Sequence, residues 1–478
     1  MAFIKTFKTP NSYYVFDVNS SAITAISEES YKYLNDSSAS VVTDEINALK
    51  QNGYLTLDSV VSVIKHPYTD YLHYFLSRKL SKITLCLTQQ CSFRCTYCTY
   101  SGNSGERQRG HSDKKMDFET AKKAMDFLYD HSVDSKVINI GGYGGEPLIE
   151  FELIKKIIKY ARERFAGKEL TFNITTNGTH FTEEVIKFLE ENEVSLMISL
   201  DGPKEINDKN RVFKDGSGTY DAIVAGIEKI KKTSPSFASK MMINTVIDPD
   251  SDFDCINSIY IDGDSLKDVN VSSTFPDFDY DDIQVSSSVE YSVQSEYHRF
   301  LAILSHFGRY PRENISPMMR ATLSRIVDDN ETVESSTPLR KEDVPSGPCI
   351  PGQLRLFVNT DGVFFPCERV SETSPSMSMG NLQDGIDFEK AKKILNVGSL
   401  TTNECRQCWC FRFCDMCVKR ADDGTAILSA ERKLTYCEGT RFLAYSKIKN
   451  YLLYKEIAMY YQNQARNSVN SILERGEV

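Results

Sequence analysis

Between residues 83 and 275, short apolar segments alternate with longer segments in which apolar residues recur every three or four positions. The short segments predict strands at residues 83–87, 137–144, 171–177, 195–202, 241–247 and 269–275. The long segments predict amphipathic helices, and the clearest of them places Leu153, Ile157 and Ala161 on one face. Such alternation is typical of parallel strands joined by right-handed crossovers. It predicts an α/β fold with an open (β/α)6 partial TIM barrel over residues 81–285, whose active residues are expected at the carboxyl ends of the strands.

The segment before this alternation, residues 1–80, has a different pattern. Apolar residues at 13–18 and 22–26 predict a hairpin, and two short helices are predicted at 28–34 and 43–52, with Thr43 as the N-cap of the second. A strand-like YLTL at residues 54–57 closes the segment. This order predicts a small winged-helix-like unit.

The segments after the barrel change character twice. A helical pattern at residues 289–306 leads to a loop rich in Pro, Ser and Lys at 335–348, so residues 286–348 are predicted to be a helical linker. Residues 349–437 are rich in cysteine, and residues 438–478 are predicted to be a C-terminal helix.

The composition limits the class of protein and its partners. The chain has 478 residues, of which 41% are hydrophobic and 26% charged, as in ordinary globular proteins of two or three domains. The formal net charge of −10 argues against nucleic acid as a partner. The sequence contains neither a signal-peptide pattern nor an apolar run of membrane-spanning length. We therefore expect a cytoplasmic protein with no membrane partner and with reduced thiols.

The 13 cysteines are clustered rather than scattered along the chain. Three lie between residues 91 and 98, and eight lie between residues 349 and 437. In a reducing compartment, clustered cysteines indicate metal ligands rather than disulfides. The two that stand apart, Cys86 in a predicted strand and Cys255 in a predicted helix, are interpreted as buried packing residues.

The first cluster is the sequence CSFRCTYC at residues 91–98, directly after the first barrel strand. Three thiolates in one short loop are enough to hold three irons of a cubane 4Fe–4S cluster. The fourth iron is then open, and a small molecule with an amine and a carboxylate can chelate it. The alternative is a structural zinc knuckle, but such a site needs four closed ligands, and the nearest histidine, His111, lies well outside the loop.

The second motif is GGEP at residues 144–147, at the end of the second predicted strand. Gly144 and Gly145 let the backbone approach a ligand closely. Glu146 can accept a hydrogen bond from a ligand ammonium group. A simple strand-ending turn at Pro147 is the alternative interpretation.

The CxxxCxxC loop, with an aromatic residue before its last cysteine, followed by GGEP, resembles the radical SAM superfamily over roughly residues 82–275. The resemblance implies that Cys91, Cys95 and Cys98 bind a 4Fe–4S cluster whose open iron holds S-adenosylmethionine (SAM). One electron then cleaves SAM into methionine and a 5′-deoxyadenosyl radical. Arg211 matches the arginine that contacts the SAM carboxylate. The other residues that the resemblance implies for SAM binding are Tyr97, Gly144, Gly145, Glu146, Pro147, Asn177, Ser199 and Asp201.

The carboxy-terminal cysteines resemble the SPASM extension of radical SAM enzymes that act on peptides and proteins. This resemblance implies two auxiliary 4Fe–4S clusters, and so three clusters in all. One would be held by Cys405, Cys408, Cys414 and Cys437, and the other by Cys349, Cys367 and Cys417. The chain departs from the common pattern in its last internal spacing and in lacking a second cysteine just after residue 349. Cys410 is an extra thiol that could supply the missing ligand, and a zinc ribbon is the alternative interpretation of the CxxC pairs.

The cysteine count favours a particular chemistry. Three ligands on the second auxiliary cluster leave an iron that can bind a substrate thiolate and hold it near the carbon radical. That arrangement predicts a thioether between a cysteine sulfur and a carbon. If Cys410 closes the cluster instead, the cluster serves only in electron transfer. Glu368 stands where sulfatase-maturing relatives have an acidic residue proposed as a base, and the alternative role is a supporting contact to the cluster.

The amino-terminal unit is similar to the leader-peptide recognition elements of enzymes that modify ribosomally made peptides. Together with the cysteine array, it makes the chain most like the sactipeptide and ranthipeptide maturases, although a capping role for the unit stays open. The resemblance implies two partners, a precursor peptide with a leader, bound by strand addition, and a reductant such as flavodoxin or ferredoxin.

Three alternatives remain open at this point. Formylglycine formation of the sulfatase-maturing type and carbon–carbon crosslinking of a peptide share all of these motifs. A non-catalytic iron–sulfur electron carrier or a zinc-binding protein belongs to a different class. A carrier has no use for an open iron beside a GGEP turn.

Overall fold

The structure is a computed structural model that describes residues 3–36, 42–101, 108–263, 265–267, 269–281, 287–345 and 347–475, with side chains to residue 462. The predicted domain boundary at residue 285 and the last three residues of the predicted C-terminal helix lie outside these ranges. No helix among the described residues combines the length and apolarity needed to cross a bilayer.

The amino-terminal unit is a three-stranded antiparallel sheet followed by two helices. Its strands, in the order β1-β2-β3, are Ile4–Lys8, Tyr13–Asp17 and Ala22–Ile26. The helices are α1 (Glu28–Asn35) and α2 (Asp44–Gln51), and the hydroxyls of Ser27 and Thr43 cap them. The predicted hairpin and both helices are confirmed, whereas β1 is an element that the sequence pattern did not indicate.

The predicted strand at residues 54–57 is wrong. Leu55 has a φ of 58°, a left-handed conformation that no strand residue adopts. Its N–H donates to the buried carboxylate of Asp17 at 2.7 Å instead of to a neighbouring strand. After this turn come the short strand β4 (Val63–Ile64) and the helix α3 (Leu72–Arg78).

All six predicted barrel strands are present. They are β5 (Lys82–Thr88), β6 (Val137–Gly144), β7 (Glu169–Thr176), β8 (Val194–Ser199), β9 (Met242–Val246) and β10 (Asn270–Thr274). Each pairs in parallel with the next. The helices between them are α4 (Phe118–Asp130), α5 (Phe151–Arg164), α6 (Glu183–Glu191), α7 (Lys204–Asn210), α8 (Tyr220–Thr233), α9 (Pro235–Ala238) and α10 (Phe253–Asp262).

The two isolated cysteines differ in burial. Cys86 on β5 is fully buried, as predicted, and its sulfur lies 3.4 Å from the Tyr100 hydroxyl. Cys255 lies on a helix, α10, but is exposed, so its prediction as a packing residue is wrong. The buried face of α10 is formed by Phe253, Ile256 and Tyr260, and Cys255 falls outside that face.

The chain after the barrel contains two long helices, a set of short strands and a helical end. The helices α11 (Val289–His306) and α12 (Pro317–Glu334) come first, and the sequence pattern indicated only α11. The short strands are β11 (Glu342–Asp343), β12 (Leu356–Val358), β13 (Phe364–Phe365), β14 (Gly380–Asn381) and β15 (Gly385–Ile386). The last helices are α13 (Phe388–Leu395), α14 (Thr402–Arg406), α15 (Ala430–Thr435) and α16 (Cys437–Arg475).

Two of these short strands extend the barrel sheet. The eight strands lie in the order β10-β9-β8-β7-β6-β5-β12-β13. β12 is parallel to β5, with Leu356 opposite Ile83, and β13 returns antiparallel to β12. β12 is buried along its whole length. The first part of the cysteine-rich segment therefore contributes two strands to the barrel sheet.

A second hydrophobic cluster joins the amino-terminal sheet to the cysteine-rich segment and to α16. Phe7 on β1 stacks on Tyr445 with ring centroids 4.9 Å apart. Phe16 on β2 lies 5.5 Å from the ring of Phe413. β4 also pairs with β11, which ties the predicted linker to residues 63–64. Hydrophobic packing thus crosses the predicted domain boundaries.

Replacing Asp17 with alanine should destabilise the amino-terminal unit. The carboxylate accepts from the N–H of Leu55 at 2.7 Å and from the N–H of Ser20 at 2.8 Å, so its removal leaves buried donors without an acceptor. We expect the free energy of unfolding to fall by about 1–3 kcal/mol in chemical denaturation. The exposed Glu29, changed to alanine, is the control and should change it by no more than about 0.5 kcal/mol. Equal stabilities for the two variants would contradict this account of the turn.

Candidate functional site

The CxxxCxxC loop follows β5 directly and turns its thiols inward. Cys91 and Cys95 are buried and Cys98 is half-buried. The Cys91 sulfur accepts from the N–H of Phe93, and the Cys98 sulfur accepts from the N–H of Tyr100, both at 3.4 Å. Burial raises the pKa of Cys91 and of Cys95 to about 11. Thiols in such a site become thiolates only with a compensating positive charge, and a coordinated metal supplies one. The donor set therefore fits an iron–sulfur cluster.

The two glycines at the end of β6 lie against the backbone of β5 and the start of the cysteine loop. A Cβ on Gly144, whose φ is 134°, would stand 2.2 Å from the carbonyl oxygen of Thr88. A Cβ on Gly145 would stand 2.1 Å from the carbonyl oxygen of Gln90. The N–H of Gly145 donates to that Thr88 oxygen at 2.8 Å. Glycine is thus required at both positions because the backbone of the GGEP turn packs directly against the residues that lead into the cysteine loop.

Glu146 is fully buried and points into the protein. Its Oε1 accepts from the Thr176 hydroxyl at 2.7 Å and from the N–H of Leu148 at 3.0 Å, and its Oε2 accepts from the N–H of Asn177 at 2.6 Å. Burial raises the pKa of Glu146 to about 7. Pro147, also buried, starts the turn that follows. The carboxylate therefore ties β6 to the end of β7, whereas the sequence-based interpretation has it facing a ligand ammonium group.

The end of β7 reaches the cysteine loop through Asn177. Its amide nitrogen lies 3.0 Å from the Ser92 hydroxyl and 3.8 Å from the Cys91 sulfur, and it donates toward both. Ser199, at the end of the neighbouring strand β8, is also mostly buried. The carboxyl ends of β5, β6, β7 and β8 therefore bring their polar residues to one rim of the barrel.

Tyr97, Asp201 and Arg211 form one buried polar group beside Cys95. The Tyr97 hydroxyl donates to the Asp201 carboxylate, and Arg211 Nε lies 3.0 Å from the same carboxylate. Arg211 also donates to the Cys95 sulfur at 3.8 Å, and its guanidinium lies 5.5 Å from the centre of the Tyr97 ring. Burial raises the pKa of Tyr97 well above its usual value. These three predicted SAM-site residues thus meet at the second cysteine of the loop.

The structure adds a buried ion pair that the sequence analysis missed. Arg109 Nε lies 3.2 Å from the carboxylate of Glu372, and both side chains are almost fully buried. Arg109 also donates to the carbonyl oxygens of Glu368 and Val370, and its guanidinium lies 4.8 Å from the centre of the Tyr100 ring. The pair joins the chain after the cysteine loop to the chain after β13. No local motif marks it, because its partners are far apart in sequence.

Five carboxy-terminal cysteines line one cavity of about 200 Å³. Among the described residues, no three Cys, His, Asp or Glu side chains converge on a position for a single metal ion. The presence of five thiols in the wall of one cavity fits a cluster of several metal atoms. The cysteines are Cys405, Cys408, Cys410, Cys414 and Cys437.

Cys410 lines this cavity, whereas the sequence pattern allowed it to be the missing ligand of the set formed by Cys349, Cys367 and Cys417. Its sulfur lies 3.5 Å from that of Cys408. Consecutive turns keep it there, because the N–H of Phe411 donates to the Cys408 carbonyl and the N–H of Phe413 donates to that of Cys410. The structure therefore places the extra thiol beside the four-cysteine set.

The second set, Cys349, Cys367 and Cys417, lies apart from this cavity. Burial raises the pKa of Cys367 and of Cys417; the charge of Cys417 adds a smaller rise at Cys367, and the charge of Cys349 does so at Cys417. Glu368, the predicted base, follows Cys367 and lies 3.0 Å from Arg355. The three thiols are thus close enough to interact, and a carboxylate adjoins them.

Residues 85–258 match the family model described as the radical SAM superfamily. The chain is 23% identical to a cysteine-type anaerobic sulfatase-maturating enzyme of Clostridium perfringens, over 73% of this chain and 90% of that protein. It is 23% identical to the radical SAM cyclopropyl synthase TigE of Paramaledivibacter caminithermalis, over 53% of this chain and 55% of that protein. The chain spans about half the length of two of the curated relatives that it matches.

The fold is similar to a solved structure titled native anSMEcpe with bound AdoMet and Kp18Cys peptide. The TM-score is 0.55 at 19% identity, and the match covers 81% of this chain and 99% of the other. At this identity the similarity concerns the fold. It extends well beyond the barrel, because residues 85–258 are only about a third of the chain.

Replacing Arg109 with methionine should strongly destabilise the contact between the barrel and the cysteine-rich segment. The change leaves the Glu372 carboxylate buried without a cation, which typically costs about 3–5 kcal/mol. The double variant with Glu372→Gln should recover part of that loss in chemical denaturation. The exposed pair of Lys114 and Asp361, 2.8 Å apart, is the control, and Lys114→Met should cost less than about 1 kcal/mol. A double variant no more stable than Arg109→Met alone would refute the coupling.

Proposed function

We propose that this protein, a radical SAM enzyme, modifies a precursor peptide by joining a cysteine sulfur to a carbon atom. The observation that carries the proposal is the position of Cys410. Because Cys410 lines the cavity of the four-cysteine set, it leaves Cys349, Cys367 and Cys417 as a set of three. A cluster with three protein thiolates keeps one coordination position for a thiolate from the substrate.

The residues at the barrel rim have defined parts in this proposal. Cys91, Cys95 and Cys98 would hold the SAM-binding cluster, and the backbone of Gly144 and Gly145 would form the wall beside it. When bound, that cluster supplies the electron that cleaves SAM. The remaining proposed SAM-site residues surround the same loop, namely Tyr97, Glu146, Pro147, Asn177, Ser199, Asp201 and Arg211. The contacts among Tyr97, Asp201 and Arg211, and the hydrogen bond from Asn177 to Glu146, would preorganise this site for SAM.

Glu368 is proposed to take the proton of the substrate thiol. It follows Cys367 directly, and its Oε1 faces Arg355 at 3.0 Å, which holds the carboxylate in one orientation. Its Oε2 is buried and makes no hydrogen bond within the described part of the chain, which leaves an acceptor for an incoming proton. The competing role, a supporting contact for the cluster, does not need a free oxygen.

The amino-terminal unit is proposed to bind the leader of the peptide. Among the described strands β3 pairs only with β2, so its outer edge can accept an extended segment as a further strand. The sheet packs on the cysteine-rich segment through Phe7 and Phe16, which would hold a bound leader at a fixed distance from the auxiliary cysteines. A capping role without a ligand is the alternative.

A second candidate function is supported by the comparisons. A relative that is aligned over 90% of its length is named a sulfatase-maturating enzyme, and the similar fold was solved with a bound peptide. Oxidation of a cysteine or serine to formylglycine would use the same barrel. Carbon–carbon bond formation is a further alternative. Both would also require a cytoplasmic reductant of the flavodoxin or ferredoxin type.

Replacing Cys95 with alanine should abolish formation of 5′-deoxyadenosine from SAM. The reconstituted protein is given SAM and dithionite without oxygen, and the nucleoside is quantified by liquid chromatography. The loss is expected because the two thiolates that remain cannot hold a cluster that leaves one iron open for SAM. Cys255→Ala, which removes an exposed thiol from α10, is the control and should match the parent. Nucleoside formation by the Cys95 variant at the parent level would refute the assignment.

Iron and sulfide analysis after anaerobic purification separates this proposal from a zinc protein.

Mass spectrometry of the treated peptide should separate the candidate chemistries. A thioether removes two hydrogens and blocks one cysteine from alkylation, whereas formylglycine yields an aldehyde that hydrazides trap. We expect the first result. Cys417→Ala should lose the crosslink yet still form 5′-deoxyadenosine, because it leaves the barrel cysteines intact. An aldehyde, or a crosslink between two carbons with all cysteines free, would overturn the thioether proposal.

A further inference from the structure

Lys433, on α15, is a buried cation in the wall of the five-cysteine cavity. Its side chain is 2% exposed, and its ammonium donates to the Cys405 sulfur at 3.5 Å. The ammonium also donates to the hydroxyl of Thr401, which in turn lies 3.2 Å from the same sulfur. The hydrogen bonds to Thr401 and to Cys405 therefore hold the positive charge of Lys433 beside the Cys405 thiol.

Within the described part of the chain, no carboxylate pairs with this ammonium. Among the ion pairs formed by the described residues, none includes Lys433, and Glu404, the carboxylate in the cavity wall, is exposed. Arg441 adds a second cation to the wall and faces Cys408. A buried ammonium without an anion is costly. The compensating negative charge must come from the thiolates, and the charge of Lys433 also acts on Cys414 and Cys437.

The other cysteine set is built differently. Lys419 lies two residues after Cys417, but it is paired with two carboxylates, those of Asp277 and Asp279, the latter at 2.7 Å. Its positive charge is therefore already balanced by the protein. Of the two carboxy-terminal cysteine sets, as far as the structure describes them, the five-cysteine cavity is the one with a buried lysine that no carboxylate neutralises.

We propose that Lys433 raises the reduction potential of the cluster held in this cavity. Reduction adds one negative charge to the cluster, and a fixed cation in a low-dielectric wall stabilises the reduced form more than the oxidised form. The site is thereby suited to accept the electron that a peptide radical must lose when the bond to sulfur closes. This inference rests on the proposed function for the presence of the cluster and extends it to the direction of electron flow.

Redox titration followed by electron paramagnetic resonance tests the proposal. The full chain is reconstituted without oxygen in a Cys91→Ala, Cys95→Ala, Cys98→Ala background, so that only auxiliary clusters contribute. Lys433→Met should move one midpoint potential to a lower value at unchanged iron and sulfide content, and Lys433→Arg should restore it. Lys433→Gln keeps an N–H donor without the charge and should follow the methionine variant. Lys447→Met, which removes the α16 partner of Asp329 on α12, is the control and should leave the potentials in place.

The outcomes separate this inference from the proposed function. If Lys433→Met and Lys433→Gln keep the iron and the parental potential, the electrostatic role is wrong although the cluster is present. If Lys433→Gln retains the parental potential while Lys433→Met lowers it, the hydrogen bond rather than the charge acts, and the inference also fails. If the Cys408→Ala, Cys410→Ala, Cys414→Ala variant, which leaves two thiols in the cavity wall, loses no iron relative to the parent, the cavity holds no cluster, and the proposed function fails at this site.

Discussion

The pairing of both edges of β5 is the constraint on which the site depends. On one edge β6 brings Gly144 and Gly145 against the carbonyl groups of Thr88 and Gln90, which places the GGEP turn on the cysteine loop. On the other edge β12 covers what would otherwise be an open strand and carries the cysteine-rich segment with it. One strand therefore positions the SAM-site candidates and anchors the auxiliary segment. A change that disturbs β5 would affect both together.

Much of the barrel could be predicted because buried parallel strands appear as short apolar runs and their helices have one apolar face. The prediction of a strand at residues 54–57 was wrong because the N–H of Leu55 donates to the buried carboxylate of Asp17, and the backbone turns there. β12 could not be placed in the barrel from sequence, since its partner β5 lies more than two hundred residues earlier. The pair of Arg109 and Glu372 was missed for the same reason. Local patterns predict elements, whereas long-range polar partners leave no local trace.

The candidate site shows the same division between local and long-range information. Spacing alone was enough to group Cys91, Cys95 and Cys98, because three residues within one loop must lie together. Spacing was not enough for Cys410, because it lies within ten residues both of Cys408 in one set and of Cys417 in the other. The tight turns from Cys405 to Phe413 determine which cavity Cys410 lines, since each turn reverses the backbone and returns the next thiol to the same cavity. The hydrogen bonds from Thr176 and Asn177 to Glu146 could not be predicted, because these partners on and just after β7 meet it only when the strands are side by side.

Among the described residues, the buried cations Arg109 and Arg211 each have a carboxylate partner, whereas Lys433 has none. Arg211 is paired with Asp201 and Arg109 with Glu372, each at hydrogen-bonding distance. Such pairing offsets the cost of removing a charge from water. Lys433 is buried to the same degree, and within the described part of the chain its ammonium donates hydrogen bonds to the Thr401 hydroxyl and the Cys405 thiol. Among the buried cations of the described residues, only Lys433 has no carboxylate partner, so the negative charge beside it is left to the thiolates of the cavity and to the cluster that they would hold.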